Sequence, residues 1–155
     1  MTLKKGVPLH YNIETVLVRY LLDTNIISEP ARPEPNSRVI QQLQRYGHEA
    51  AITSISWHEL LYGLERMPEG RKRTYLAEFI TQVVRPAFPI LSYEESAAQW
   101  HARERARLAS IGRTAGFADG QIASIAVTAN LILVTRNLTD FNGFEGLHLE
   151  NWFAA

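Results

Sequence analysis

Residues 18–25 have the sequence VRYLLDTN, in which a short apolar strand ends abruptly in three polar residues. The same transition occurs in residues 131–137, LILVTRN, whose apolar part is the clearest strand signal in the chain. Further short apolar runs lie at residues 50–53, 89–92 and 147–150. Helical periodicity separates these runs, and strands that alternate with helices predict an α/β fold whose parallel sheet is covered on both faces.

Helices are expected wherever apolar residues recur at helical spacing between the strands. The expected helices cover residues 24–28, 37–46, 54–67 or 56–67, 71–84, 94–110 and 117–130. The proline-rich residues 29–36 cannot be helical throughout, because proline fixes φ and lacks a backbone N–H.

The chain has 155 residues, which fits one domain, and we place that domain at residues 18–155. Residues 1–17 are mixed polar and have no clear periodicity. We expect them to be an N-terminal extension, which is a flexible arm, an added strand or an artefact of the start site, with Val18 as an alternative first residue.

The composition excludes several classes of protein. Sixteen Lys and Arg balance sixteen Asp and Glu, which argues against a purely electrostatic binder of duplex nucleic acid. The absence of cysteine excludes disulfides, thiolate metal ligands and cysteine nucleophiles, and it suits a reducing cytoplasm. No apolar run has the length of a membrane span. We therefore expect a cytoplasmic protein that does not enter a membrane.

Two carboxylates are expected at the edge of the sheet where the parallel strands end, which is where α/β proteins build their sites. Asp23 ends the first strand, and the alternative is that it only caps the following short helix. Glu59 lies one turn into the helix that follows the second strand. Its alternative is a capping box, in which Ser56 is the N-cap and Glu59 reaches back to it.

Asp119 is the most informative carboxylate, because helical spacing places it on one face with Ile122, Ala123 and Ala126. A carboxylate on an apolar face costs several kcal/mol, about 2 or more, unless it is paired or bound to metal. The helix dipole would return only about 0.3–1 kcal/mol. An ion pair of Asp119 with Arg113 or Arg136 is the alternative to a metal.

Asp140 follows the strand at residues 131–135 and is the fourth candidate, although it could instead cap a turn. Carboxylates that converge on one edge repel each other unless a cation neutralises them. Hard oxygen ligands are what Mg²⁺ or Mn²⁺ prefers. Such an ion holds a phosphodiester and acidifies water, so the pattern favours metal-dependent phosphodiester hydrolysis.

Four segments together resemble a known family. Residues 21–25 (LLDTN), 59–63 (ELLYG), 118–123 (ADGQIA) and 134–137 (VTRN) resemble the PIN domain, and in particular the VapC-type toxins of bacterial toxin–antitoxin pairs. Residues 28–36 are similar to the FitB-like branch of that group. The resemblance extends in order from about residue 18 to residue 152.

The resemblance implies a three-layer fold with a mostly parallel, five-stranded sheet flanked by helices. It implies an endoribonuclease that depends on Mg²⁺ or Mn²⁺, with Asp23, Glu59 and Asp119 as the acidic cluster. It further implies an RNA substrate, a toxin homodimer, and a small antitoxin that joins the toxin in a hetero-oligomer and blocks the active site with its tail.

The chain departs from the family pattern at the fourth acidic position, where Asn137 replaces an acid that many relatives carry. Asp140 is then the remaining candidate for a fourth metal ligand, and Asn25, Thr135 and Asn137 become supporting hydrogen-bonding groups. The missing acid also supports a rival interpretation, a binding module that kept the fold and lost catalysis. A second rival, an aspartyl-phosphate enzyme, is disfavoured because no lysine lies after a late strand.

Two basic clusters and several aromatic residues remain outside the acidic pattern. Residues 71–73 (RKR) and the arginines at 103, 105 and 107 are expected to be solvated helix faces, with contacts to an RNA backbone as the alternative. We expect core positions for Tyr62, Trp57 and Trp100, and stacking on nucleobases is the alternative.

Overall fold

A computed structural model describes residues 18–154, and the expectation for residues 1–17 lies outside these described residues. The described residues form one five-stranded sheet with the order β3-β2-β1-β4-β5. Its strands are β1 (Tyr20–Leu22), β2 (Ala50–Thr53), β3 (Ile90–Leu91), β4 (Ile132–Val134) and β5 (His148–Glu150). All four pairings are parallel, so the carboxyl ends of the strands share one edge.

The helices lie between consecutive strands, as crossover connections of a parallel sheet require. They are α1 (Thr24–Ile27), α2 (Ser37–Tyr46), α3 (Ser54–Glu65), α4 (Arg71–Phe79), α5 (Arg85–Ala87), α6 (Glu95–Ser110), α7 (Phe117–Thr128) and α8 (Leu138–Phe141). Short 3₁₀ turns lie at Glu29–Ala31 and Gly47–Glu49.

The sheet separates two apolar cores, and β1 shows why. Tyr20 and Leu22 face one core, in which α1, α2 and α3 pack, while Leu21 faces the other core under α6 and α7. Successive side chains of a strand point to opposite faces. Because both faces are covered, all three residues are buried, and the protein has the expected three layers.

Most expected boundaries agree with the structure to within one or two residues, and the largest difference is the segment after Gly70. The expected helix 71–84 is longer, because a π-helical turn at Ile80–Val84 joins α4 to α5 and the helical path reaches Ala87. Ile80 and Val84 are buried, so the wider turn keeps the apolar side chains of this segment on the core.

The start of α3 corrects the capping box expected at Ser56. Thr53, the last residue of β2, is the N-cap, and its hydroxyl accepts the Ser56 backbone N–H at 3.0 Å. Ser56 is fully buried inside the first turn instead of preceding it. The Glu59 side chain is therefore not needed to cap this helix.

Within residues 18–154, no helix is long and apolar enough to cross a membrane. The expectation of a cytoplasmic location stays a prediction.

Candidate active site

Asp23 lies at the carboxyl end of the central strand β1, where its carboxylate is held at both oxygens. Its Oδ1 accepts the Thr24 backbone N–H at 2.8 Å, so Asp23 does cap α1 as the alternative interpretation expected. Its Oδ2 accepts the Thr135 hydroxyl, also at 2.8 Å, from the end of β4. Because Asp23 is only 7% exposed, these two hydrogen bonds fix the direction of its remaining lone pairs.

The three expected supporting residues surround Asp23, but they act differently. Asn25 links α1 to β4, because its Oδ1 accepts the Arg136 backbone N–H at 3.2 Å. The Asn25 amide also approaches Asp23 Oδ2 at 3.5 Å. The Thr135 hydroxyl accepts the Asn137 backbone N–H at 3.1 Å, which orients that hydroxyl toward Asp23. Asn137 thus contributes through its main chain, and its side chain is exposed.

Glu59 approaches the same edge from α3 and stays partly exposed, although its carboxylate is partly desolvated by the packing around it. The Thr24 hydroxyl is close enough to lower the pKa of Glu59, although the two side chains form no regular hydrogen bond. The Thr24 oxygen is buried and has no protein partner within the described part of the chain. An unpaired buried hydroxyl beside carboxylates is a natural contact for water held in the site.

Asp119 lies in the first turn of α7 and is half-buried, which is less than its apolar helix face predicted. Its carboxylate packs against the backbone of Gly116, where an added Cβ would lie 3.0 Å from Oδ2. Among residues 18–154, neither Arg113 nor Arg136 forms an ion pair with it, so the ion-pair alternative is wrong for these residues. Arg136 instead lies over the ring of Phe153 at 4.5 Å.

Asp140 is exposed on the short helix α8 and makes no side-chain cap at its start. It is nevertheless near the cluster, because its charge raises the pKa of both Asp23 and Asp119. The fold therefore brings together all four carboxylates that were expected at this edge.

Electrostatics show how closely three of these groups interact. Burial is the main cause that raises the pKa of Asp23, of Glu59 and of Asp119. The charge of Asp23 further raises the pKa of Glu59 and of Asp119, and the charge of Asp119 raises that of Glu59. The ionised form of each carboxylate is therefore less stable here than in water. A cation between the carboxylates would offset the repulsion between their negative charges.

The donor set fits a hydrated divalent ion. All four groups offer oxygen atoms, and in the segment 18–154 no Lys or Arg neutralises them in an ion pair. Across that same segment, no three His, Asp or Glu side chains are already close enough to hold an ion together. Mg²⁺ commonly keeps several waters and uses only one or two carboxylates, so an open arrangement suits it better than a closed cage would.

His101 of α6 packs against Gly120, the residue that follows Asp119 in α7. The Nδ1 atom of His101 lies 2.8 Å from the Tyr93 hydroxyl, and its ring contacts Phe117 at 5.0 Å between centroids. Its Nε2 edge faces Gly120, where a Cβ would lie only 2.1 Å away. Burial lowers the pKa of His101, so this histidine is a neutral packing residue on which α7 rests.

Both basic clusters contain an arginine with a structural role, which corrects their interpretation as solvated faces. Arg73 donates to the carbonyls of Leu64 and Met67 at 3.1 and 2.7 Å and so closes the end of α3. Arg107 binds the buried Glu104 through two hydrogen bonds of 2.8 and 2.7 Å. The other clustered arginines are exposed.

Glu104 joins α6 to the loop after α8, because it also accepts the Glu145 backbone N–H at 2.6 Å. We expect Glu104→Gln to lower the free energy of unfolding by about 1–3 kcal/mol near pH 7. The loss is no larger because Arg107 is half-exposed, and solvent screens its charge. The pKa of Glu104 is lowered, chiefly by Arg107, so its stabilising contribution exists above the ordinary carboxyl pKa. That contribution is lost as the pH falls through the lowered value.

Urea denaturation from pH 3 to pH 8 would measure this effect. The Glu104→Gln curve should converge with the wild-type curve toward low pH. The matched control is Glu145→Gln, which keeps the backbone donor and removes only an exposed contact at 3.5 Å. Equal losses in both variants, or a loss that does not depend on pH, would contradict the assigned role of Glu104.

Sequence reasoning missed the groove next to Asp119. Arg113, Thr114, Ala115 and Gly116 line it, yet Arg113 was considered only as an ion-pair partner. The signal was present in the sequence, because a loop with a glycine at each end and an arginine inside directly precedes Asp119. Because such a loop has few bulky side chains, its backbone remains accessible beside the acidic cluster.

A parallel α/β sheet with four acidic side chains at its carboxyl edge is an arrangement that could hold a divalent ion for hydrolysis. The family described as PIN domain matches residues 20–143. The toxin FitB of Neisseria gonorrhoeae is 36% identical over 124 residues, which is 78% of this chain and 89% of FitB. The tRNA(fMet)-specific endonuclease VapC of Shigella flexneri is 33% identical over 138 residues, 88% of this chain and 99% of that protein.

The solved structure of FitAcB from Neisseria gonorrhoeae has the same fold, with a TM-score of 0.80 and 32% identity over 88% of this chain and 99% of that one. This chain therefore belongs to the PIN-domain family. The family resemblance, the three-layer α/β fold and the membership of the toxin-nuclease group expected from the sequence are confirmed.

Proposed function

We propose that this protein is the ribonuclease toxin of a toxin–antitoxin pair and cleaves RNA at the acidic edge of its sheet. The observation that carries the proposal is the convergence of Asp23, Glu59, Asp119 and Asp140 with raised pKa values at the first three. The names of its relatives, tRNA(fMet)-specific endonuclease VapC and ribonuclease VapC2 of Haemophilus influenzae, support a ribonuclease.

The side chains divide into holding and proton-transfer roles. Asp23 and Asp119 would hold Mg²⁺ or Mn²⁺, with Asp140 as a further ligand. The Thr135 hydroxyl fixes Asp23 for this purpose. When bound, the ion supplies positive charge that offsets carboxylate repulsion and acidifies water.

Glu59 would accept a proton from the attacking water. It is exposed, is free of a capping role and has a raised pKa, so it is a stronger base than a fully solvated glutamate. Thr24, whose buried hydroxyl lacks a protein partner within residues 18–154, can donate to that same water.

The partners of the relatives suggest partners for this chain. Solved relatives are complexes named FitAB bound to a DNA fragment and VapBC of Salmonella typhimurium bound to DNA. We infer that this chain pairs with itself and with a small antitoxin, and that the resulting hetero-oligomer binds DNA through the antitoxin. Coexpression with the protein encoded beside it, followed by mass measurement of the complex, tests this inference.

The first test is RNA cleavage by the protein purified free of antitoxin, with Mg²⁺ and Mn²⁺ supplied separately. We expect wild type to cut structured RNA, and EDTA or Asp23→Ala to reduce the rate by about 10²-fold or more. The control is Glu78→Gln, which changes an exposed carboxylate on α4. Cutting by Asp23→Ala at the wild-type rate would overturn the assignment, because a different site or a contaminant would then be responsible.

The second candidate function is an inactive binding module, and Asn137 is the observation that favours it. Its exposed amide replaces a carboxylate and cannot neutralise a second cation. Calorimetry with Mn²⁺ separates the candidates when it is run beside cleavage of transfer, ribosomal and messenger RNA. Binding that requires Asp119 without cleavage of any of these RNAs would favour the binding module.

A further inference from the structure

Two cavities, together called the groove, adjoin the loop that precedes α7, and one of them lies beside the acidic cluster. One part has a volume of about 170 Å³ and is lined by Asp119 and Asp140. The other part has a volume of about 230 Å³ and is lined by His101 and Arg105. Both parts share the same floor and wall, formed by Leu108, Arg113, Thr114, Ala115, Gly116 and Phe144.

The charge changes sign along this groove. Its acidic end holds Asp119 and Asp140, its far part contains the exposed side chain of Arg105, and the exposed Arg113 lines both parts. In the described range 18–154, neither arginine forms an ion pair with a carboxylate. Two unpaired guanidinium groups beside a cluster of carboxylates suit a ligand that is negatively charged along its length.

An aromatic ring packs against Arg105. Phe117, the first residue of α7, is 52% exposed, which is unusual for phenylalanine. The guanidinium of Arg105 lies 5.1 Å from its ring centroid, and the ring of His101 lies 5.0 Å away on α6. These contacts hold the Phe117 ring in place while leaving part of it open to solvent.

We propose that this groove binds the single-stranded RNA segment on one side of the cleaved bond, with Arg113 on a phosphate and Phe117 stacked on a nucleobase. The proposal rests on the proposed function, because the acidic end would hold the phosphodiester that is cut. Ala115 and Gly116 have almost no side chain, so the RNA backbone can pass close to the loop between Arg113 and Asp119.

The two residues make different predictions about affinity. For single-stranded nucleic acid, the plot of log binding constant against log salt concentration becomes shallower by about 0.7 for each phosphate contact removed. Arg113→Gln should therefore flatten this slope by about that amount. Loss of one stacked base weakens binding by about 5- to 100-fold, so Phe117→Ala should weaken binding without changing the slope. Phe117→Trp, which keeps a ring, should restore affinity.

The experiment measures fluorescence anisotropy of a labelled, unstructured 12-nucleotide RNA in EDTA, where no cleavage occurs, between 50 and 200 mM salt. Matched controls are Arg45→Gln and Tyr75→Ala. Arg45 also lies over an aromatic ring, but α2 ends beside the start of β2 and thus at the opposite edge of the sheet. Tyr75 is 54% exposed on α4. Both controls should bind like wild type.

Hydrolysis of bis(p-nitrophenyl) phosphate in Mn²⁺ provides a second readout, since this small diester tests the acidic cluster without an extended RNA strand. Wild type should hydrolyse this diester and bind Mn²⁺, and Arg45→Gln and Tyr75→Ala should do both like wild type. If wild type binds RNA through Arg113 and Phe117 but hydrolyses nothing, the groove is supported and the proposed function fails. If Arg113→Gln and Phe117→Ala bind RNA like wild type, the groove proposal is overturned, and weakened capture of the antitoxin by them would assign the groove to that partner instead.

Discussion

Replacing Gly120 by alanine is expected to destabilise the protein by about 3 kcal/mol or more, although alanine is the better helix former. The new Cβ would lie 2.1 Å from Nε2 of His101 and 2.8 Å from its Cδ2. The ring cannot easily move away, because the Tyr93 hydroxyl holds Nδ1 and Phe117 packs beside it. The better helix propensity of alanine contributes only about 1 kcal/mol, so the clash makes the net effect of the substitution destabilising.

Gly63 of α3 is the matched control for this prediction. It is also a glycine inside a helix, but nothing lies within 4 Å of a Cβ built there. Gly63→Ala should therefore stabilise the protein by up to about 1 kcal/mol. Thermal and urea denaturation of the two variants should give shifts of opposite sign.

A double-mutant cycle assigns the effect to the contact itself. His101→Ala alone should destabilise the protein, since it leaves a cavity and removes the partner of Tyr93. In the His101→Ala background, Gly120→Ala should cost little, which makes the coupling energy large and favourable. If Gly120→Ala leaves the stability of the otherwise wild-type protein unchanged, α7 does not pack against His101 at the distance described.

The fold was largely predictable because a parallel sheet is determined by local patterns. The buried run at residues 20–22 and the apolar run at 132–134 mark neighbouring central strands, and each ends in polar residues. The rule that sites form where parallel strands end then placed Asp23 and Thr135 together, and a hydrogen bond of 2.8 Å joins them. That contact spans 112 positions in the sequence.

Other features depended on contacts that no local pattern specifies. Ser56 and Thr53 have equally good capping chemistry, and the choice between them depends on where the β2 backbone leaves the sheet. Arg107 and Arg105 lie two positions apart on one helix, yet only Arg107 reaches the buried Glu104. Which arginine is structural and which is free follows from the position of the loop around Glu145, which is a tertiary fact.

Asp119→Asn is expected to abolish most RNA cleavage, by about 10²–10³-fold or more, and at the same time to stabilise the metal-free protein. The pKa of Asp119 is raised by burial and then by the charges of Asp140 and Asp23. Its ionised form is therefore disfavoured in the folded state. Asparagine has a similar shape and no charge, so it removes this unfavourable contribution.

The sign of the pH dependence follows from the direction of these shifts. Asp23, Glu59 and Asp119 all have raised pKa values, so the folded protein binds their protons more tightly than the unfolded chain does. Their contribution to stability is fully present below the ordinary carboxyl pKa, and it is lost as the pH rises through the raised values. Asp119→Asn should reduce this loss, so the variant gains most over wild type near pH 7.

Thermal denaturation with and without Mn²⁺ at pH 7 tests the gain in stability and the loss of metal binding together. The order of the melting temperatures of wild type and Asp119→Asn should reverse when Mn²⁺ is added. Without metal, Asp119→Asn should melt a few degrees above wild type, since about 1 kcal/mol shifts Tm by about 2–4 °C in a domain of this size. With excess Mn²⁺, wild type should gain stability by mass action and melt above the variant, which has lost a ligand. Glu78→Gln should follow wild type in both conditions. A variant that melts below wild type without metal would show that Asp119 is held by a favourable contact, and the acidic cluster would then need no cation.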